Sequence, residues 1–267
     1  MKVLTTGITG TIGRHLPDSV QPLNLDLAAF PSAKSFSDIS SDDHFLHLAG
    51  VVGTIEVEKD KNYSHAVNVN GATLLAEEFF KRSSGKFYYI STSHVYGSSS
   101  EKITENALTK PSSLYAEQKL MAESRISEIF ASAPERLCII RVFSVLDWDV
   151  APFTLGGAVR KLTQPDSKFQ LNHSDDVRDF MTPKTIAKSI FEIAKSDKLD
   201  GIVNLCTGTG IRVGEAAIRM LDESGYKIPS ARILPGISAN PYVVGDNSKL
   251  LSTIPDLRLD WQPSKSA

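Results

Sequence analysis

The chain predicts an α/β fold, a doubly wound parallel sheet with a small C-terminal lobe, on three observations. Short apolar runs alternate with helix-period stretches, a glycine-rich turn follows the first run, and a later apolar run ends abruptly in hydroxyls. The strand candidates are "KVLTT" (2–6), "LNLDL" (23–27), "FLHLAG" (45–50), "KFYYIS" (86–91) and "LCIIRV" (137–142). Strands separated by helices imply parallel βαβ units with right-handed crossovers.

The first turn, "TGITGTIG", places Gly7, Gly10 and Gly13 between strand one and the next element. Glycine there lets the backbone approach a pyrophosphate, and a helix N-terminus around Thr11 and Ile12 would present free N–H groups to its charge. Pro17 and Pro22 leave room for barely two helical turns before the second strand, because proline stops a helix at or before its predecessor. Asp26 closes that strand, 19 residues after Gly7, where a carboxylate can take both ribose hydroxyls of an adenosine. A carboxylate there repels a 2′-phosphate and favours NAD, with NADP possible if Arg14 or Lys34 meets the phosphate instead.

In 64–82, Val67, Gly71, Leu74, Leu75 and Phe79 form one apolar stripe. In 112–133, Ala122, Ile126, Ile129 and Phe130 form another. Between these helices, "ISTSHVYG" (90–97) takes a buried strand into three hydroxyls and a histidine. Hydroxyls are ordinary where a strand becomes a loop. They gain a chemical reading from Tyr115 and Lys119, four apart on the next helix and so on one face. An ammonium beside a phenol stabilises the phenolate and lowers its pKa. Such a tyrosine can exchange a proton with an alcohol while hydride leaves the carbon. The order of these segments brings glycine turn, hydroxyls, Tyr and Lys to the carboxyl edge of the sheet, where ligands bind.

After about residue 145 prolines and glycines break the pattern into short pieces. Residues 1–150 are expected to form the dinucleotide-binding domain, and 151–267 mostly a substrate-binding lobe, with 200–206 returning to the core sheet. The formal net charge of −2 gives no footprint for nucleic acid or an anionic membrane. No apolar run is long enough for a membrane span or a signal peptide. Cys138 and Cys206, both in apolar runs, read as reduced core residues of a cytoplasmic protein, neither a disulfide framework nor a metal site.

The segments "TGITGTIG", "FLHLAG", "NVNGATLLAEEF", "ISTSHVYG", "YAEQK", "RDF", "VNLCTGTG" and "GDNSKL", taken in order, resemble the extended short-chain dehydrogenase/reductase family. This is the NAD-dependent epimerase/dehydratase group, Rossmann-fold enzymes that modify nucleotide sugars. The resemblance implies that Gly7, Gly10 and Gly13 form the cofactor fingerprint. It puts an adenine-contacting pair at Asp38 and Ile39, the cofactor-lining stretch at Leu48, Ala49 and Gly50, and a structural Asn at Asn68. It implies Thr92, Tyr115 and Lys119 as catalytic residues, Lys119 also holding the nicotinamide ribose, and Arg178 as a ligand of the nucleotide phosphate. It further implies a homodimer paired through helices 61–82 and 112–133, which carry more apolar positions than one sheet face needs.

Departures from the family pattern bear on substrate. Members that dehydrate sugars resemble "STDEVYG", where Asp and Glu act as acid and base; here Ser93 and His94 hold those places. A 4,6-dehydratase is therefore not expected. Ser144, in "RVFSVLDW", stands where an Asn usually helps bind the substrate phosphate, and "HSDDV" replaces the usual glycine-rich approach to "RDF". The expectation is hydride transfer at a sugar carbon, C4, of a nucleotide sugar, as epimerase or 4-ketoreductase. The alternatives are a reductase of a non-sugar carbonyl and a non-catalytic dinucleotide-sensing protein.

Overall fold

The computed structural model describes residues 2–29, 36–152, 154–164, 167–227 and 232–261. Strands β1 (Val3–Thr6), β2 (Val20–Pro22), β3 (His44–His47), β4 (Phe87–Thr92) and β5 (Leu137–Val142) belong to the main sheet. After β6 (Ser144–Val145), β7 (Val177–Arg178) and β8 (Phe180–Met181), the chain returns to that sheet with β9 (Gly201–Leu205). The six strands are parallel in the order β2-β1-β3-β4-β5-β9. The chain leaves β1 toward β2 and then crosses to β3 on the other side. The switch point therefore lies between the carboxyl ends of β1 and β3, where a crevice opens in such sheets.

Alternation along the strands sorts the core into two layers. Phe45, Phe87, Tyr89 and Ile139 face one way and pack against Leu75 and Phe79 of one helix and Ala122, Ile126 and Phe130 of another. Leu46, Tyr88, Ile90, Cys138 and Ile140 face the other way, against Ile186, Ile190 and Ile193. The helices are α1 (Thr54–Lys59), α2 (Lys61–His65), α3 (Ala72–Arg82), α4 (Leu114–Ile129), α5 (Leu155–Thr163), α6 (Pro183–Ser196), α7 (Val213–Glu223) and α8 (Ser248–Thr253). Between α2 and α3 the backbone continues through a π-helical stretch, Ala66–Gly71, so the single helix expected over 64–82 has a bulge in it. The helix expected over 112–133 is shorter, capped by Ser113, whose Oγ accepts from the Ala116 N–H at 3.3 Å.

Two expectations for the first crossover are corrected. Only one 3₁₀ turn, Gly13–His15, stands where two helical turns were expected. Strand β2 runs over 20–22, not 23–27, and ends at Pro22, which lacks a ladder donor and suits an edge strand. The last ladder-like bond is Leu23 N–H to the Thr5 carbonyl, so Asp26 sits in the turn beyond the strand. With no long first helix, Leu16 of this crossover shares a core with α6 residues.

The lobe has a three-stranded sheet, with β7 antiparallel to β10 (Ile211–Arg212) and parallel to β11 (Tyr242–Val243). A parallel pair, β6 with β8, ties it to the end of β5. Its core contains Leu146, Val159, Leu162, Phe180 and Met220. Among the described residues no helix is long and apolar enough to cross a membrane. The apolar positions of the helices over 61–82 and 114–129 are largely absorbed inside. Tyr63 and Met121 are the large apolar side chains they expose, and Leu74, Phe80 and Ile129 are half-buried.

Candidate active site

A cavity of about 530 Å³ opens at the switch point, its wall running from Ile12 and residues 48–55 across Thr92, Tyr115 and Lys119 to Ser144 and Arg178. Gly7 begins it. Its φ of +78° is left-handed, and a Cβ there would come within 2.7 Å of the Ala49 N. A Cβ on Gly13 would collide with the Gly7 carbonyl oxygen, so the turn folds onto itself only with glycine at both places. Gly10 N–H closes the turn on Gly7 O at 3.0 Å. Thr6 Oγ1 and His47 Nδ1, 2.7 Å apart, bind the ends of β1 and β3 behind the crevice. Burial holds His47 neutral, its pKa pulled down to about 3.

Leu48, Ala49 and Gly50 line the cavity. Asn68, in the π-helical stretch, fixes the next residue: its Oδ1 accepts from Val51 N–H at 2.8 Å and its Nδ2 donates to Val51 O at 2.9 Å. The same Nδ2 donates to Gln118 Oε1 at 2.9 Å, so the π bulge couples the crevice loop to α4. The expected helix N-terminus at Thr11 and Ile12 reduces to one 3₁₀ turn, which offers amide donors but little aligned dipole. Ile12 reaches the cavity wall; Gly7, Gly10, Thr11 and Gly13 shape the turn beside it.

The residues assigned to the adenosine end stand apart from this cavity. Asp26 is exposed, and its Oδ1 accepts from the Ala28 and Ala29 N–H groups at 3.1 and 3.2 Å. Ile39 is buried in the core layer with Leu4 and Phe36, while Asp38 is exposed. Arg14 is paired with Asp149 at 2.7 Å, so that cation is already engaged. Lys34 lies outside the described residues.

On the opposite wall, β4 delivers Thr92 and α4 delivers Tyr115 and Lys119, one turn apart. The Tyr115 pKa is pushed up to about 12 by burial, partly offset by the hydrogen bond to Thr92. This reverses the expected lowering. The Lys119 ammonium is turned onto the Ile90 carbonyl at 2.6 Å and the Tyr89 ring at 4.0 Å, and burial outweighs any help to the phenol. Burial also pulls the Lys119 pKa down to about 7, against the raising influence of Glu123.

Sequence reasoning missed the support behind this wall. Glu123, one further turn along α4, accepts from the Arg141 Nε at 3.1 Å and Nη2 at 2.6 Å, with both side chains buried. The same carboxylate bonds Ser91 Oγ, next to Thr92. Arg141 lies over the Tyr96 ring, whose hydroxyl donates to Asn204 Oδ1 at 2.8 Å. One charge inside the apolar strand "LCIIRV", and a carboxylate four residues after Lys119, were the signals available.

The substrate-side candidates divide. His94, Ser144 and Arg178 are on the cavity wall, whereas Ser93 is buried away from it, its hydroxyl without a partner among the described residues. The Arg178 guanidinium donates to Asp176 Oδ2 at 2.8 Å and to the Val177 and Pro241 carbonyls, which aims it. Asp179 of the same "RDF" turns inward, accepting from Thr207 and Gly208. The glycine turn, which no Cβ could fit, and the cavity leading from Ile12 to Lys119 suit a dinucleotide. Residues 7–13 and 48–50 would hold it, and Lys119 would bond its nicotinamide ribose.

The depressed Lys119 pKa makes a stability prediction. In the unfolded chain the amine binds its proton up to its ordinary 10.5, in the folded chain only up to about 7. Stability tied to this group therefore rises with pH across that window, and its burial cost is greatest below it. Denaturant unfolding of wild type and Lys119→Met should show the variant's relative advantage fall from pH 7 to about 10. A pH-independent difference would mean that Lys119 titrates normally in the fold.

The sequence model of the NAD-dependent epimerase/dehydratase family matches residues 19–206, beginning after the glycine turn. No curated protein sequence matches significantly. The fold is similar to that of RMD from Pseudomonas aeruginosa, solved with NADPH: 21% identity, TM-score 0.82, 97% of this chain and 94% of that one covered. A UDP-glucose 4-epimerase from Thermus thermophilus, solved with NAD, is 20% identical with TM-score 0.78, covering 97% and 94%. A dTDP-glucose 4,6-dehydratase from Streptomyces venezuelae, solved with NAD, is 17% identical with TM-score 0.78, covering 99% and 93%. With its family match spanning well over half the sequence, its parallel six-strand sheet and its switch-point cavity, the chain belongs to the NAD-dependent epimerase/dehydratase family, whose cofactor is NAD(P).

Proposed function

We propose that the protein is an NAD(P)-dependent oxidoreductase that moves hydride at a sugar carbon, C4, of a nucleotide sugar, as an epimerase or 4-ketoreductase. The observation that carries this reading is the meeting of Thr92, Tyr115 and Lys119 on one wall of the switch-point cavity. A dinucleotide-sensing protein would have no use for that trio. NAD(P), when bound, supplies the hydride acceptor or donor. Tyr115 exchanges the accompanying proton with the sugar oxygen, and the Thr92 hydroxyl on the same wall orients that oxygen. Protonated at neutral pH, the phenol suits proton donation to a carbonyl oxygen, the reductive direction.

Loss of water from the sugar needs a paired acid and base, and among the described residues no carboxylate lines the cavity. This supports an epimerase or reductase over a 4,6-dehydratase, although dehydratases share the fold. Arg178 on the wall supports a diphosphate over a simple carbonyl substrate. Two free, buried cysteines suit a cytoplasmic setting, for which fractionation of the source cells is the check.

Tyr115→Phe should retain cofactor binding and lose about 10²- to 10⁴-fold in turnover with an accepted nucleotide sugar. Wild-type rates in the variant would remove Tyr115 from the chemistry.

Cofactor choice rests on Asp26. One of its oxygens is occupied by the turn, leaving the other for the ribose hydroxyls. NAD should bind more tightly than NADP, and Asp26→Ala should narrow or reverse the difference. An unchanged NAD/NADP ratio on titration would show that Asp26 does not read the ribose. A homodimer through α3 and α4 is proposed by likeness to the family. Light scattering that finds monomer alone at micromolar concentration would sink it.

A further inference from the structure

Hydride transfer at one sugar carbon needs one protein group to exchange one proton with the sugar oxygen, and Tyr115 fills that need. The cavity wall carries a second group able to move protons. His94 sits on the short turn after β4, where its own N–H donates to Thr92 Oγ1 at 3.3 Å. Its ring meets that of Tyr115 edge-on, with centroids 6.1 Å apart, and it is open to the cavity. Among the described residues neither ring nitrogen has a protein partner. Its pKa is lowered by desolvation in the cavity and then by the nearby Arg178 charge, which favours the neutral imidazole. An unpartnered base beside the phenol has no task in a simple hydride transfer.

We propose that His94 is a second catalytic proton-transfer group, drawing a proton from the carbon next to the sugar's carbonyl. The proposal rests on the reading above only in taking a keto-sugar as the occupant. The C–H bond breaks and its proton goes to an imidazole nitrogen, giving imidazolium. The electron pair of that bond becomes the C=C bond of an enolate, whose oxygen takes a hydrogen bond from Tyr115. Return of a proton from the imidazolium to the carbon restores the ketone. No oxidant or reductant is consumed. The enzyme would then exchange, or invert, the centre beside the carbonyl in the cavity where it transfers hydride.

The test uses dTDP-4-keto-6-deoxyglucose in deuterium oxide with wild type and His94→Gln, which keeps a polar side chain without the base. Proton NMR follows loss of the C3 and C5 signals against an enzyme-free control, and NADH and NADPH oxidation is followed separately. Wild type should wash deuterium into one of these positions, and the variant should do so about 100-fold more slowly. Its thermal melt and cofactor affinity would show that it is folded. Wild type that oxidises NAD(P)H with the ketone but incorporates no deuterium overturns the role of His94 and leaves the hydride reading standing. Equal wash-in by His94→Gln overturns it too. Histidine-dependent wash-in without NAD(P)H oxidation supports His94 and counts against the hydride reading, and neither reaction counts against both.

Discussion

The site depends on keeping an amine in an interior that does not solvate it. Lys119 is buried, and the surrounding structure supplies what water would have: the Ile90 carbonyl, the Tyr89 ring face and the charge of Glu123 one turn further on. Glu123 cannot stand alone there either. Arg141 from the neighbouring strand grips it with two hydrogen bonds, and Ser91 adds a third. A buried pair of this kind adds little net stability, but removing one partner typically costs about 3–5 kcal/mol because the other stays buried unpaired. Its consequence is geometrical. It locks the register of α4 against β4 and β5, and that register sets where Tyr115 and Thr92 face each other.

The opposite wall is built with little material. Where a long crossover helix usually stiffens the glycine turn, this chain has one 3₁₀ turn. Rigidity comes instead from close backbone approach at Gly7 and Gly13, from the Thr6–His47 bond, and from Asn68, which pins Val51 with two hydrogen bonds. Asn68 also reaches Gln118 on α4. The two walls are thus linked by one chain of polar contacts, from the crevice loop through the π bulge to the helix that carries Tyr115 and Lys119.

Much of this was legible in the sequence because it rests on local pattern. The strands β1, β4, β5 and β9 fall within a residue of their expected runs, while β3 ends three residues earlier, at His47; β4 and β5, buried along their whole length, read as largely apolar stretches. The edge strand β2 was misplaced. It is only three residues long and two of them, Gln21 and Pro22, are exposed, so "LNLDL" reads as more strand-like than "VQP". Asp26 accordingly left the strand end for a turn. Tyr115 and Lys119 could be paired from helix spacing alone, but not their pKa values, which depend on burial and on which way the ammonium turns. The Glu123–Arg141 pair spans two elements 18 residues apart and has no local signature beyond a charge in an apolar strand.

The proposed chemistry passes hydride between a nicotinamide and the sugar carbon beside Tyr115 in this cavity. The direct measurement supplies NADH or NADPH deuterated on either face of nicotinamide C4, with dTDP- and UDP-linked 4-keto-6-deoxyglucose, and locates the label by NMR. Deuterium is expected at C4 of the reduced sugar from one face only. A sugar reduced with ordinary hydrogen at C4 from both labelled faces, or label that never leaves the nicotinamide, would contradict it.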